Sequence, residues 1–159
     1  MAVITLTTDL GHKDFYQAAL KGSLLSQLSD ANIVDITHEI PAFNIPRAAF
    51  VLGNAYHYFP KGTVHIIGIN TLFHEESKYI GMKYNDHYFV GADNGIFSLL
   101  LNGNEPQELY ELNLMQDLRY LHFPLADILS KSACHIAKGG KLKDVGNPMQ
   151  HLIEKVTLQ

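Results

Sequence analysis

The chain has 159 residues, of which 47 % are apolar and 18 % charged, with a net charge of −4. That length and composition predict one globular domain with a real core, and they argue against disorder. Lys and Arg are scattered with no basic stripe, and no apolar run approaches the ~20 residues of a membrane span, so neither nucleic acid nor a membrane is an expected partner. The N-terminus lacks a basic leader with a long apolar core, and the single Cys134 cannot form an internal disulfide, which together predict a cytoplasmic protein.

In chain order, Ala2–Leu6 reads as a strand buried on both faces. Phe15–Leu28 reads as a helix, with Ala18, Ala19, Leu20, Leu24, Leu25 and Leu28 near one face. Asn32–Ile36 is a second strand, and Pro46 suits the first turn of a helix running to Phe59. Thr63–Ile69 is a third strand. Lys78–Lys83 and His87–Ala92 flank a hairpin turn at Tyr84-Asn85-Asp86. Ile96–Leu101 suggests a turn or two of helix, Glu108–Leu112 a strand, and Pro124–Lys138 a last helix stopped by Gly139-Gly140. The early strand–helix alternation predicts a three-layer α/β/α fold with a mainly parallel, mixed central sheet. The domain is expected over residues 1–146, with 147–159 a tail or stub leading away from it.

Asp9 follows the first strand directly, where open α/β sheets place their ligands. With Thr7 and Thr8 it can bind a polar group such as a vicinal diol, or it can simply cap the turn. Asp93-Asn94-Gly95 ends the strand YFVGA and reads either as a tight turn or as a polar group near the same sheet edge. Asp35-Ile36-Thr37-His38-Glu39 offers His38 and Glu39 for acid–base work, or a loop held by Asp35 and Thr37. The nine histidines (His12, His38, His57, His65, His74, His87, His122, His135 and His151) form no HExxH, HxH or Cys/His cluster, so no metal site is expected. Neither GxGxxG nor GxxxxGK[ST] is present, so dinucleotide and P-loop sites are not expected.

The segments ITLTTDLGHKDFYQAALKG, IVDITHEIPAFNIPRAAFVLGNAYHYFPKGTVHI and YFVGADNGIFSLL, in this order, resemble the N-terminal domain of the S-adenosylmethionine hydroxide adenosyltransferases, relatives of the fluorinases and chlorinases. The resemblance implies S-adenosylmethionine as substrate rather than cofactor, with attack on the ribose C5′ by water or halide. In the hydrolase branch the products are adenosine and methionine. It implies that Asp9 contacts the ribose hydroxyls; Thr8, Asp93 and Asn94 are further substrate-binding candidates from their own strand-end positions. It also implies a homotrimer, in which a C-terminal domain of one subunit completes the site of its neighbour.

The reactive set departs from the family pattern. The family's DPGVGTxRR stretch corresponds to residues 70–78, which puts Asn70 at the aspartate, Ser77 at the first arginine and Lys78 at the next basic position. Leu72 and His74 fall where the family has glycines. In the FHGRDxFAP stretch the histidine position falls on Pro124, His122 reaches it only by a shift of two residues, and Asp127 keeps its place. Asn70, Ser77, Lys78 and His122 are thus candidate catalytic replacements, with His74 and Glu75 beside them. Asn supplies no carboxylate and Ser no guanidinium. The sequence therefore predicts a catalytically degenerate or truncated member retaining at most a nucleoside half-site. The alternatives are an active hydrolase with relocated groups and a non-enzymatic association domain.

Overall fold

The computed structural model describes residues 2–69, 78–113 and 123–154, apart from the Asp127 side chain. Seven strands form one sheet in the order β2-β1-β3-β5-β4-β6-β7. They are β1 (Val3–Thr8), β2 (Asn32–Thr37), β3 (Val64–Gly68), β4 (Tyr79–Tyr84), β5 (His87–Ala92), β6 (Glu108–Leu112) and β7 (Gly146–Pro148). β1 pairs in parallel with β2 and β3, and β3 with β5, while β4 and β7 run antiparallel to their neighbours. Three of these six pairings are parallel and three antiparallel, so the sheet is mixed, with the parallel pairings joining β2, β1, β3 and β5.

Helices cover both faces, giving three layers. α1 (Tyr16–Gln27) and α4 (Ser130–Ala137) close one face around Leu6, Leu20, Leu24, Ile66 and Val90. α2 (Ile45–Ala55) and α3 (Ile96–Leu101) close the other around Leu52, Ile67, Met82, Phe89 and Phe97. β1 alternates, Ile4 and Leu6 entering the first core while the intervening Thr5 and Thr7 are buried polar residues, as the period-2 geometry of a strand requires. A fully buried Leu or Ile contributes about 1.5–3 kcal/mol of transfer free energy, so Ile4 and Leu6 anchor β1 to the first core.

The local signals act where expected. Asn44 caps α2, its side chain accepting from the Arg47 amide at 3.0 Å, with Pro46 in the first turn. Asn85 and Asp86 both have positive φ (50° and 63°), the backbone that a two-residue hairpin between β4 and β5 needs.

Three details differ from the sequence expectation. On α1 only Leu20 and Leu24 are buried, continued by Leu28 at the C-cap as an i, i+4, i+8 stripe, whereas Ala18 and Leu25 face solvent. The stripe is narrower because Ser23 and Gln27 take the adjoining contact with α4, through Ser130. The last helix opens with a π-turn over Leu125–Leu129 before α4 begins. Finally, Asn147 and Pro148, the start of the expected tail, continue from Gly146 as the edge strand β7, in which Gly146, Asn147 and Pro148 pair with Leu112, Glu111 and Tyr110 respectively.

Candidate active site

β1 leads through α1 to β2 on one side, and β2 leads through α2 to β3 on the other. The strand order thus reverses between β1 and β3, and the crevice beyond their carboxyl ends is the switch point where such sheets bind ligands. Asp9 stands there, half-buried, its amide donating to the Gly68 carbonyl at 3.2 Å. Gly68 has no room for a side chain. A Cβ would lie 2.8 Å from the Leu125 Cδ2 and 2.9 Å from the Thr8 Cγ2. The π-turn thereby sits directly over the ends of β1 and β3.

After Asp9 the chain turns at Gly11, whose φ of +71° suits a residue without Cβ. The Gly11 amide donates to the His38 carbonyl at 2.7 Å, and the Ile40 amide to the Thr8 carbonyl at 3.3 Å, which joins the loops after β1 and β2. Between them lies an open concavity of about 430 Å³, lined by Leu10, Gly11, His12, Lys13, Asp14, Tyr16 and Glu39. A larger one of about 660 Å³ lies beside the end of α3 and the start of β6, among Asn104, Glu105, Glu108 and Gln150. Size does not decide between them. The smaller adjoins the switch point and the larger does not.

The four substrate-binding candidates share this edge of the sheet. Thr8 is fully buried, its hydroxyl 2.6 Å from the His38 Nδ1 and accepting from the Leu10 amide at 3.2 Å. The Asn94 side chain donates to the Ile69 carbonyl at 2.8 Å and accepts from the Ile96 amide at 3.3 Å, so it braces the end of β3 against α3. Asp93 is half-buried, with Oδ1 accepting from the Ile153 amide at 3.2 Å and its own amide donating to the Lys78 carbonyl at 2.9 Å. Burial pushes the Asp93 pKa up, against the lowering effects of the Ile153 amide and the Lys78 charge.

Of the catalytic candidates, Lys78 is exposed just before β4. Pro124 is buried at the start of the π-turn. Asn70, His74, Glu75, Ser77 and His122 lie outside the described residues. The 35–39 segment is the end of β2 and the turn after it, held by Asp35 and Thr37, and it points the His38 and Glu39 side chains apart. His38 is 1 % exposed and its Nε2 contacts the Asp35 Oδ1 at 2.7 Å, while the Glu39 amide donates to the Thr37 Oγ1 at 3.0 Å. The Glu39 side chain turns outward to His12, at 3.2 Å. Burial raises the Asp35 pKa, but the hydrogen bonds from Lys21 and His38 outweigh it and hold the carboxyl below its usual range. Among the described residues no three His, Cys, Asp or Glu side chains gather as metal ligands, and no helix is long and apolar enough to cross a membrane.

The profile of the S-adenosylmethionine hydroxide adenosyltransferase N-terminal domain matches residues 4–146. The chain belongs to this family. It is 44 % identical over 101 residues to an (R)-S-adenosyl-L-methionine hydrolase from Methanocaldococcus jannaschii, covering 60 % of this chain and 38 % of that protein. A Salinispora tropica protein of the same name is 29 % identical over 147 residues, covering 90 % of this chain and 56 % of the relative. A fluorinase from Actinopolyspora mzabensis is 22 % identical, covering 93 % of this chain and 58 % of that enzyme. The fold of an uncharacterized conserved protein from Thermotoga maritima superposes with a TM-score of 0.91 at 29 % identity, covering 99 % of this chain and 63 % of the other. This adenosyltransferase-family chain spans about half the length of the curated relatives it matches.

Sequence reasoning placed Asp9 and Asp93-Asn94 at strand ends but missed the pairing of Thr8 with His38. The sequence signalled only the Asp35–His38 contact, through a carboxylate late in β2 and a histidine three residues on.

Proposed function

We propose that this chain supplies the nucleoside-binding half of an S-adenosylmethionine site and does not by itself hydrolyse the ligand. The observation that carries the reading is Asp9 at the switch point, tied to Gly68 across the β1–β3 crevice. A carboxylate there can accept hydrogen bonds from both hydroxyls of a ribose. The reaction performed by the relatives' named activity expels a neutral thioether from a sulfonium centre, so it needs no general acid. What it demands is a positioned, desolvated nucleophile. Asn70, Ser77 and Pro124 stand where the family has its Asp, Arg and His, which supports ligand binding without that positioning. By the same resemblance the chain associates as a homotrimer.

Calorimetry with adenosine and with S-adenosylmethionine tests the reading. The wild-type chain is expected to bind, and Asp9→Ala to weaken binding about tenfold or more, as removal of a charged hydrogen-bond acceptor does. Equal affinity in the two proteins removes Asp9 from the site. Adenosine released from S-adenosylmethionine above the blank overturns the non-catalytic part and favours relocated groups such as Lys78 and His122.

A further inference from the structure

We propose that Asp35, His38 and Thr8 form a positioning relay that sets the Asp9 loop in its ligand-ready conformation. The loop-setting part stands on the described geometry alone. Its value for a ribose-bearing ligand rests on the functional reading above.

The relay is continuous. The Lys21 Nζ lies 2.7 Å from the Asp35 Oδ2, and the Asp35 Oδ1 lies 2.7 Å from the His38 Nε2. The His38 Nδ1 lies 2.6 Å from the Thr8 Oγ1, which accepts from the Leu10 amide at 3.2 Å. For a neutral His38 ring the donor and acceptor roles along it follow from chemistry. An ionised carboxylate only accepts, so Nε2 carries the proton. In the neutral ring Nδ1 is then a lone pair, and the Thr8 hydroxyl must donate to it. The Thr8 oxygen is left with its lone pairs for the Leu10 amide. Thr8 is fully buried and His38 nearly so, so water does not compete for these groups.

The consequence falls on Asp9, which lies between Thr8 and Leu10. Its own amide is held by Gly68, the next amide by the Thr8 hydroxyl, and the Gly11 amide by the His38 carbonyl. One histidine thus holds the loop twice, with its ring through Thr8 and with its backbone through Gly11. A carboxylate that must aim two oxygens at a diol gains affinity when the ordering cost is met before binding. Both ring nitrogens of His38 are already engaged, so His38 is a positioning residue and exchanges no proton with a ligand. Lys21, through Asp35, ties the ring orientation to α1.

The test compares the wild-type chain with Thr8→Val, which keeps the shape and deletes the hydroxyl, and with Thr8→Ser, which restores it. Nitrogen NMR of wild-type His38 is expected to show the Nε2–H tautomer. In Thr8→Val the Leu10 and Gly11 amides should exchange about tenfold faster while β3 amides keep their protection, and adenosine affinity should fall about tenfold, the scale of one lost buried hydrogen bond. Thr8→Ser should regain most of both. If Thr8→Val does not fold, Asp35→Ala, which removes the acceptor for the Nε2 proton, is read in the same way, with loss of the Nε2–H tautomer and faster Leu10 exchange expected. An Nδ1–H tautomer in the wild type overturns the relay. So do unchanged Leu10 and Gly11 exchange in the variant, or loosening that extends equally through β3. Wild-type protein that binds neither adenosine nor S-adenosylmethionine defeats the functional reading instead, and tautomer and exchange then judge the relay by themselves.

Discussion

At the carboxyl end of the sheet, His38 is buried against a carboxylate that Lys21 in turn neutralises. At the amino end, His65 and His87 are buried, and among the described residues no carboxylate hydrogen-bonds to either ring. The His65 Nδ1 lies 2.6 Å from the Thr5 Oγ1 and its Nε2 lies 3.0 Å from the His87 Nδ1. Around them Phe89 stacks on His65, while Tyr56 meets both rings edge-on. Burial, and then the neighbouring His87, pushes the His65 pKa down to about 3, and burial also lowers that of His87. The contrast teaches that the same side chain serves two ends. With a carboxylate it directs hydrogen bonds outward along a loop. Without one it is a polar core residue that the fold keeps uncharged.

Acid should separate the two ends most strongly. Below about pH 6.5 an unfolded histidine takes up a proton that native His65 refuses until about pH 3, so the unfolded state binds more protons and stability falls as pH falls. The loss runs at about 1.4 kcal/mol per pH unit, or roughly 2 kcal/mol by pH 5. Urea unfolding of the wild type between pH 7 and 5 should show this slope, and His65→Gln should flatten it. Parallel curves for the two proteins would break the comparison.

A smaller effect compares two threonines on β1. Thr5→Val strands the His65 Nδ1 and should cost about 1–2 kcal/mol, whereas the Thr7 Oγ1 is buried without a hydrogen-bond partner among the described residues. Thr7→Val should therefore stabilise by about 1 kcal/mol. Denaturant midpoints moving in opposite directions confirm the difference, and two losses contradict it.

The smallest change sharpens the carboxyl end. Burial raises the Asp93 pKa, so its charged form is disfavoured in the folded state at pH 7, and that cost fades as pH falls through the raised value towards the ordinary 3.8. Asp93→Asn keeps an acceptor for the Ile153 amide and should stabilise by no more than ~0.5 kcal/mol at neutral pH. The gain should vanish in acid. Destabilisation at pH 7 would show that Asp93 needs its charge for the edge it braces.

The fold was legible because its signals are local. The short apolar run of β1, the capping of α2 and the Asn85-Asp86 turn all act within a few residues, and Asp9 could be placed because a strand end is a local event. The relay was not legible, since Thr8 and His38 are thirty positions apart and meet only once β1 and β2 pair. The π-turn was hidden because its apolar residues continue the helical pattern into α4. The buried face of α1 was overestimated because hydrophobicity alone does not show that Ser23 and Gln27 face Ser130. β7 has three residues and no periodicity to detect.

That short strand bears on how the protein behaves in a crowded solution. Pro148 pairs with Tyr110 at the outermost edge of the sheet yet has no amide hydrogen to offer. A passing extended chain meets a border only three residues long that ends in a residue unable to donate. Edge-to-edge polymerisation is therefore disfavoured on that side, a protection against aggregation built from the segment with the least hydrophobic pattern.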